Sequence, residues 1–367
     1  MKIRPFEIER FYDRWEFAAE LMLSSSDCES ASTADVLALE PGSQERLLEQ
    51  RLGYTEVAGS LELRESIAAL DERSEPSDVF TLAAAEEGIF LAYHALLGPG
   101  DHAIVEAPCY GSAIELARST GAEVSLWERR YEDRWAHDLD ELRSLLRPNT
   151  RLLYVNSPHN PTGMQMRRDV LDAIIGICAE SSIVLFSDEV YRGLEHDPAD
   201  RLPVASDLYE RALSLNTVSK AYGLPGLRIG WLTGRDAGLI AAIRELKLYT
   251  TICSSAPSEL LVALALRHSG RLVERSRAIV LANLPLVDEL LERRSELLEW
   301  VRPSAGPIGF PRVRPAIDVR AWCEGIAEHA GVLLLPGDVY ERPGHIRIGF
   351  GRANLPQAIA RLDQELG

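Results

Sequence analysis

The sequence lacks the features of proteins that bind nucleic acid or membranes through bulk charge. Its 39 Lys and Arg residues are outnumbered by 56 Asp and Glu residues, which gives a formal net charge of −17. Binding to such anionic partners needs clustered basic residues. No apolar run approaches the roughly 20 residues that span a bilayer, and the first residues contain no apolar segment of the signal-peptide kind. We therefore expect neither a nucleic-acid partner nor a membrane partner.

Cysteine is also scarce, and its pattern excludes two further classes of protein. The five cysteines are scattered and form no Cys-x-x-Cys pair, so neither a disulfide framework nor a zinc site is indicated. We expect a reduced, cytoplasmic protein without a metal. No Gly-x-Ser-x-Gly motif occurs, which argues against a serine hydrolase of that kind. With 46% hydrophobic and 26% charged residues over 367 positions, the chain should fold into about two domains.

The most informative pattern is a series of short apolar runs, each ending in polar or glycine-rich residues. These runs cover residues 103–105, 152–155, 183–186 and 212–215. A helical period follows the second run, with Val170, Ile174, Ile177 and Cys178 on one face. Apolar strands that alternate with helices predict an α/β fold with a mostly parallel sheet covered by helices. Ligands of such sheets gather at the carboxyl ends of the strands.

The region after about residue 268 differs in character, and this predicts a second unit. A long amphipathic helix is expected through Leu272–Leu298, interrupted by Pro285, followed by short strands near residues 308–310, 332–335 and 346–348. We predict an N-terminal arm over residues 1–45, a large domain over 46–268 and a small α+β domain over 269–367. The arm is expected to join the small domain.

Residues suited to cofactor chemistry follow the predicted strands. Lys220 comes directly after a buried strand, and burial would lower its pKa as a Schiff-base nucleophile requires. Arg228 carries a forked guanidinium that suits a phosphate. Asp188 closes an apolar strand three residues before Tyr191, where a carboxylate could hold a pyridine nitrogen protonated. Taken singly, these residues could equally be a solvated lysine, a surface arginine, a helix cap and a packed tyrosine.

Two further strand ends offer polar or planar groups. The turn Asn160-Pro161-Thr162-Gly163 provides a fixed amide, although such a tetrapeptide is also an ordinary turn. Tyr110, in Pro108-Cys109-Tyr110, could stack on a planar ligand or simply pack in the core.

Together and in this order, these segments resemble the class I/II aminotransferases, the aspartate-aminotransferase-like enzymes of fold type I that use pyridoxal 5′-phosphate (PLP). The resemblance extends from about Leu23 to Arg347 and beyond. It implies that Lys220 is the cofactor-binding and proton-shuttling lysine, that Asp188 is the partner of the pyridine nitrogen, and that Tyr191 tunes the cofactor. It also implies a set of further cofactor-binding residues: Ala85, Glu86, Tyr110, Asn160, Thr217, Ser219 and Arg228.

The same resemblance implies roles for the substrate side and for a second subunit. Arg347 is similar to the arginine that binds the substrate α-carboxylate, and Asn160 and Ser26 fall on the substrate side. Tyr54 resembles the tyrosine that reaches a phosphate in the neighbouring subunit, which implies a homodimer with shared active sites.

Three positions depart from the family pattern. Ala84 stands where glycine is usual before the phosphate-binding residue. Glu86 replaces a neutral residue, so we expect its side chain to turn away from the phosphate and only its N–H group to serve. Residues 24–26 are serines in place of a glycine-containing substrate loop, which leaves the substrate side open.

The implied function is an aminotransferase that acts on an L-amino acid with a 2-oxo acid acceptor. The alternative is a PLP-dependent lyase or cyclase, because Pro158-His159-Asn160 resembles the turn of carbon–sulfur lyases. The serines at 24–26 and the run Thr250–Pro257 resemble the capreomycidine-synthase-like subgroup, which includes an enzyme that closes a ring on a hydroxylated arginine. A PLP-binding DNA regulator is disfavoured by the charge of −17. Neither the substrate's side chain nor the pathway follows from the sequence.

Overall fold

The computed structural model describes residues 3–367. These residues form the following α-helices: α1 (Glu7–Trp15), α2 (Thr33–Leu37), α3 (Ser43–Glu49), α4 (Leu61–Ala68), α5 (Ala85–Leu96), α6 (Gly111–Ser119), α7 (Leu139–Leu145), α8 (Arg168–Ser181), α9 (Ala205–Leu208), α10 (Ala237–Lys247), α11 (Ala256–Arg267), α12 (Ser269–Arg293), α13 (Val319–Ala330) and α14 (Leu355–Glu365). Within residues 3–367, no helix combines the length and apolar character that crossing a membrane would require.

The strands are numbered in the same way along the chain. They are β1 (Leu21–Met22), β2 (Val79–Leu82), β3 (His102–Ala107), β4 (Glu123–Glu128), β5 (Thr150–Asn156), β6 (Val184–Asp188), β7 (Ala212–Thr217), β8 (Gly230–Thr233), β9 (Leu298–Glu299), β10 (Ile308–Gly309), β11 (Arg312–Val313), β12 (Val332–Leu333), β13 (Leu335–Pro336) and β14 (Ile346–Gly349).

A seven-stranded sheet forms the centre of the molecule, in the order β2-β8-β7-β6-β5-β3-β4. Strand β8 runs antiparallel to both of its neighbours, and the other pairs are parallel. This confirms the mostly parallel sheet predicted from the apolar runs. Because β3, β5, β6 and β7 are parallel, the residues that follow them emerge at one edge of the sheet.

The sheet separates two apolar cores, since successive side chains of a strand point to opposite faces. Leu153 and Leu185 pack on one face with the buried side of α8, whereas Leu152 and Phe186 pack on the other face in the core that includes α5. Both faces of the central strands are therefore buried. This explains why their sequences are continuously apolar rather than alternating.

The C-terminal part of the chain builds three small sheets, and the N-terminal segment enters one of them. Strand β1 pairs in parallel with β12, with Leu21 opposite Val332. The other two sheets are β10-β14-β13 and β9-β11. The described part of the N-terminal segment thus pairs with the C-terminal region. The proposed domain boundaries remain predictions.

Helix α12 differs from the expectation of an interrupted helix that ends at Leu298. It runs unbroken through Pro285 and stops at Arg293, and Leu298 begins strand β9. A proline inside a helix removes the hydrogen bond to the carbonyl four residues earlier. Here that residue is Leu281, which is partly exposed, so water can reach this side of the helix.

Candidate active site

A cavity of about 340 Å³ opens where the parallel strands end. Its volume lies within the range of ordinary ligand pockets. The predicted site residues that line it are Ser26, Ala85, Glu86, Tyr110, Asn160, Asp188, Tyr191, Thr217, Ser219, Lys220, Arg228 and Arg347. Tyr54 is the predicted residue that the structure places elsewhere, on a surface loop where it is 92% exposed.

Asp188 ends strand β6 as a buried carboxylate on the floor of the cavity. Its Oδ2 accepts a hydrogen bond from the Tyr154 hydroxyl at 2.8 Å, and its Oδ1 accepts one from the backbone N–H of Val190 at 3.2 Å. Burial raises the pKa of this carboxyl group to about 6, although the Tyr154 hydrogen bond lowers it. A cationic N–H group in the cavity would stabilise the charged form.

Lys220 directs its amine into the same cavity from the loop after β7. The ammonium Nζ donates a hydrogen bond to Ser26 Oγ at 3.0 Å and lies 5.7 Å from the centre of the Tyr191 ring. Burial lowers the pKa of Lys220, an effect that Asp27 partly opposes. A lysine with a lowered pKa more easily supplies the neutral amine that nucleophilic chemistry requires.

One side of the cavity offers donors that suit an anion. Helix α5 begins at Ala85 without a side-chain cap, so its first N–H groups are available. Arg228 lines this side, and the hydroxyl groups of Thr217 and Ser219 lie 3.0 Å apart there. A guanidinium, hydroxyl groups and a helix N-terminus together match the oxygen acceptors of a phosphate group.

The residue before this helix is strained. Ala84 has φ 70° and ψ 172°, a combination that is essentially restricted to glycine. Ala84, which stands where the family usually has glycine, therefore carries a Cβ atom in a backbone conformation that favours a residue without one. Strand β8 approaches closely here, since a Cβ on Gly230 would lie 2.8 Å from the Ala85 nitrogen.

Glu86 lines the cavity, and its carboxylate accepts a hydrogen bond from the Ser112 hydroxyl at 3.0 Å. That its side chain turns away from a bound phosphate stays a prediction. The surrounding walls desolvate this carboxyl group and raise its pKa to about 7. Partial protonation of Glu86 near neutral pH would weaken its repulsion of a bound phosphate.

Arg347 on β14 is buried at the opposite side of the cavity, and five hydrogen bonds engage its guanidinium. The Ser24 carbonyl accepts from Nε at 3.1 Å and from Nη2 at 2.8 Å. Nη1 donates to Asn160 Oδ1 at 3.1 Å and to the Tyr340 hydroxyl, and Nη2 donates to the Tyr12 hydroxyl at 2.6 Å. The arginine therefore joins α1, the serine segment and the Asn160 turn.

Behind the cavity, a buried glutamate supports the turn that carries Asn160. Glu106 Oε1 accepts hydrogen bonds from Arg129 at 3.1 Å and from His137 at 2.8 Å, while its Oε2 accepts from the Asn156 backbone N–H at 2.8 Å. The Asn156 side chain accepts from the Asn160 N–H at 2.7 Å and donates to the Asp188 carbonyl at 2.9 Å. One hydrogen-bonded network therefore links Glu106, Asn156, Asn160 and Asp188 at the floor of the cavity.

The sequence analysis missed Tyr12, Tyr154, Asn156 and Tyr340 as site residues. Asn156 ends β5 opposite Asp188, and Tyr154 lies two positions earlier on the same strand, so the strand-end pattern could have indicated both. Along the chain, Tyr12 and Tyr340 are remote from the strands of the central sheet, and no local pattern indicates their contact with Arg347.

The side of the cavity near α1 and the serine segment is acidic. Glu9, Glu16 and Asp27 line it. Glu9 accepts a hydrogen bond from the Tyr110 hydroxyl, and Asp27 pairs with Arg352 at 2.9 Å. Glu16 forms no ion pair within residues 3–367, and its pKa is raised by burial and by the charges of Asp27 and Glu9, against an opposing effect of Arg352.

These groups fit PLP. An anion-binding side suits its phosphate, the buried Asp188 suits a protonated pyridine nitrogen, and Tyr110 offers a flat ring. Lys220 would supply an amine for the aldehyde of the cofactor, and Arg347 lines the same cavity. This is the chemistry that the resemblance implied, now placed around one cavity.

Comparisons with known proteins point the same way. The model of the family "Aminotransferase class I and II" matches residues 20–362. The chain is 33% identical to capreomycidine synthase of Streptomyces vinaceus over 96% of this chain and 91% of that protein. It is 29% identical to an arginine–pyruvate transaminase of Pseudomonas aeruginosa, over 93% and 88% of the two chains. The crystal structure of the PLP-dependent cyclase OrfR superimposes with a TM-score of 0.92, at 27% identity and over 100% and 98% of the two chains.

The strain at Ala84 predicts that Ala84→Gly stabilises the protein. Relief of the glycine-only conformation should raise the free energy of unfolding by about 1 kcal/mol, measured by chemical denaturation. The control is Ala95→Gly inside α5, where a glycine should lower the free energy of unfolding by about 0.5–1 kcal/mol. Equal destabilisation by both changes would contradict the assignment of strain to residue 84.

Proposed function

Because this chain belongs to the class I and II aminotransferases, enzymes that depend on PLP, we propose that it transfers the amino group of an L-amino acid to a 2-oxo acid. The observation that supports this best is the convergence of Lys220, Asp188 and Arg347 on one cavity whose other side offers phosphate donors. The proposed substrate is a basic amino acid, with arginine or an arginine derivative as the first candidate.

PLP would supply an electron-accepting ring that stabilises negative charge on the substrate's α-carbon. The carboxylate of Asp188 would hold the proton on the ring nitrogen. Arg228, Thr217, Ser219 and the first N–H groups of α5 would hold the phosphate. Lys220, with its lowered pKa, would accept the α-proton at Nζ and return it.

Arg347 is proposed to bind the substrate α-carboxylate. Its five N–H groups are already engaged, so a carboxylate must replace some of the present acceptors. Tyr12 is the acceptor on α1, next to Glu9 and Glu16, which line the entrance side of the cavity. We propose that the carboxylate replaces the Tyr12 hydroxyl, which would couple binding of the substrate to the position of α1.

A basic side chain on the substrate is supported by the charges that remain unneutralised. Glu16 has no ion-pair partner among the described residues, and Asp27 and Glu9 lie near enough to raise its pKa. A guanidinium in this part of the cavity would relieve the repulsion among the carboxylates. The similarity to an arginine–pyruvate transaminase supports the same substrate class.

A second candidate function is ring closure on the same kind of amino acid. It is favoured by the 33% identity to capreomycidine synthase and by the similarity in structure to a PLP-dependent cyclase. The cofactor-binding residues would serve both reactions. The two candidates differ in whether the amino group stays on the cofactor.

The first test identifies the cofactor-binding lysine, and it is decisive because the chain contains few lysines. Only three lysines occur, Lys2, Lys220 and Lys247. Lys247 is also buried, but its Nζ donates to the carbonyls of Val57 and Thr81 and lies outside the cavity. Borohydride reduction of the PLP-loaded protein followed by peptide mapping should place the cofactor on Lys220. A label on Lys2 or Lys247 would refute the assignment.

The second test separates the reactions and the substrate classes. PLP-loaded enzyme is mixed with one amino acid and no oxo acid, and the cofactor is then released and quantified. An aminotransferase should leave stoichiometric pyridoxamine phosphate, whereas a cyclase should return PLP and continue to make product. L-Arginine should exceed its neutral analogue L-citrulline by about tenfold or more in kcat/KM, as expected for one charged hydrogen bond. Equal rates would exclude recognition of the cation.

We also propose a homodimer in which Tyr54 reaches the phosphate of the partner subunit. Tyr54 is held outward on a loop whose Val57 carbonyl is bound by Lys247 at the end of α10. Exposed apolar side chains occur on α3, on the loop that follows it and just after α10: Leu48, Leu52, Tyr54, Leu248, Tyr249 and Ile252. Apolar patches of this kind mark interaction surfaces. The cytoplasmic location remains a prediction.

Mixed dimers test whether Tyr54 crosses between subunits. Tyr54→Phe should raise the Kd for PLP by about tenfold, since a hydrogen bond to a charged group is lost, and Lys220→Ala should abolish activity. If Tyr54 crosses, a hybrid of the two variants has one doubly impaired site and one intact site, so mixing should restore activity. No restoration in hybrids isolated by dual tags, or a monomeric mass in sedimentation, would contradict the proposal.

A further inference from the structure

Ser26 lies in a segment whose position is fixed on both sides. The Ser24 carbonyl is bound by Arg347, and the Asp27 carboxylate pairs with Arg352 at 2.9 Å. Strand β14 also presses against the segment, because a Cβ on Gly349 would lie only 1.9 Å from the Ser25 carbonyl oxygen. The backbone around Ser26 therefore has little freedom to move.

The hydroxyl of Ser26 faces the amine of Lys220 rather than open solvent. Nζ donates to Ser26 Oγ at 3.0 Å, and within residues 3–367 no other hydrogen bond is formed by this amine. The Ser26 side chain also lowers the pKa of the Tyr191 phenol, against the larger effect of burial. The hydroxyl of Ser26 therefore contacts Lys220 directly and lies close enough to Tyr191 to affect its pKa.

We propose that Ser26 is a positioning residue for Lys220. Its hydroxyl holds the ε-amino group on the side of the cavity that faces Arg347, so that the amine keeps one orientation when it accepts the α-proton. A lysine side chain has a flexible four-carbon stem, and a fixed hydrogen-bond acceptor selects among its rotamers. The inference rests on the proposed role of Lys220 as the proton acceptor. It differs from the expectation, drawn from the family, that Ser26 serves the substrate.

The charged and titratable groups around Lys220 do not perform this task. Burial lowers the pKa of Lys220, Asp27 raises it, Arg347 lowers it, and Tyr12 and Glu9 raise it. The charge of Lys220 in turn lowers the pKa of Asp188. Within the described residues, none of these groups forms a hydrogen bond with Nζ. They act on the charge of the amine without bonding to it, whereas Ser26 accepts its hydrogen bond and so can fix its direction as well as stabilise its ammonium form.

The decisive measurement is the pKa of Lys220 in the full chain without cofactor. Protein labelled with ¹³C only in lysine should give three side-chain signals, from Lys2, Lys220 and Lys247, and circular dichroism confirms that each variant is folded. Ser26→Ala should lower the pKa of Lys220, because an acceptor that stabilises the ammonium form is lost. The Lys247 signal should not move. Ser26→Thr keeps the hydroxyl and should restore a value near that of the wild type.

The matched control is Ser25→Ala, which removes the neighbouring hydroxyl. Ser25 Oγ forms no hydrogen bond to Lys220, so the pKa of Lys220 should stay at the wild-type value. If Ser26→Ala and Ser25→Ala give the same Lys220 titration as the wild type, the proposal is overturned. Because this experiment uses no substrate, its result does not depend on the reaction that the enzyme performs.

Kinetics of the PLP-loaded enzyme then distinguish positioning from substrate binding. Ser26→Ala should lower kcat by about tenfold, the loss of roughly one hydrogen bond, while KM and the Kd for PLP stay within about twofold. The isotope effect with an α-deuterated substrate should increase, because proton transfer becomes slower. A raised KM with unchanged kcat and unchanged isotope effect would show that Ser26 binds substrate and would overturn the proposal.

Discussion

The site depends on the hydrogen-bond acceptors that surround the buried guanidinium of Arg347. Arg347 is 1% exposed, and an arginine removed from water needs acceptors for its five N–H groups. The structure supplies them from four separate segments: the Ser24 carbonyl, Asn160, Tyr340 and Tyr12. Tyr12 lies 335 residues from Arg347 along the chain. The requirement to satisfy this arginine therefore holds the N-terminal segment, the small sheets and the central sheet around one cavity.

The fold and the cofactor side could be predicted from the sequence because both follow from local patterns. Continuous apolar runs indicate strands buried on both faces, and parallel strands end at a common edge. Asn156 and Asp188 are opposite each other in the register of β5 and β6, so the polar residues that close these strands converge. Lys220 and Arg228 follow β7 within one loop and a short turn. Strand geometry placed these residues at the strand ends, whereas the roles predicted for Lys220, Asp188 and Arg228 came from the resemblance to the family, and Asn156 was not predicted.

The substrate side could not be predicted in this way, because its contacts join segments that no local pattern relates. Tyr12 lies on helix α1, whose amphipathic period predicts which side chains pack inward. That period does not indicate that the Tyr12 hydroxyl accepts a hydrogen bond from Arg347. Glu106 is a single charge within an apolar strand, and its role depends on Arg129 and His137 beyond the next strand. Outside the site, the unbroken course of α12 through Pro285 was not predicted either, because a proline taken alone predicts a break in the helix.

The distribution of charge within the cavity links its two halves. Arg228 and the start of α5 favour an anion on one side, and Arg347 favours a carboxylate on the other. On the α1 side, Asp27 pairs with Arg352, whereas Glu9 and Glu16 have no ion-pair partner among the described residues and leave an excess of negative charge. An α-amino acid with a neutral or acidic side chain would leave that excess in place, whereas a basic side chain would compensate it. In the proposed function, the cavity would distinguish the two ends of a basic substrate by charge, and the cationic end would lie near α1 and the serine segment rather than near the central sheet.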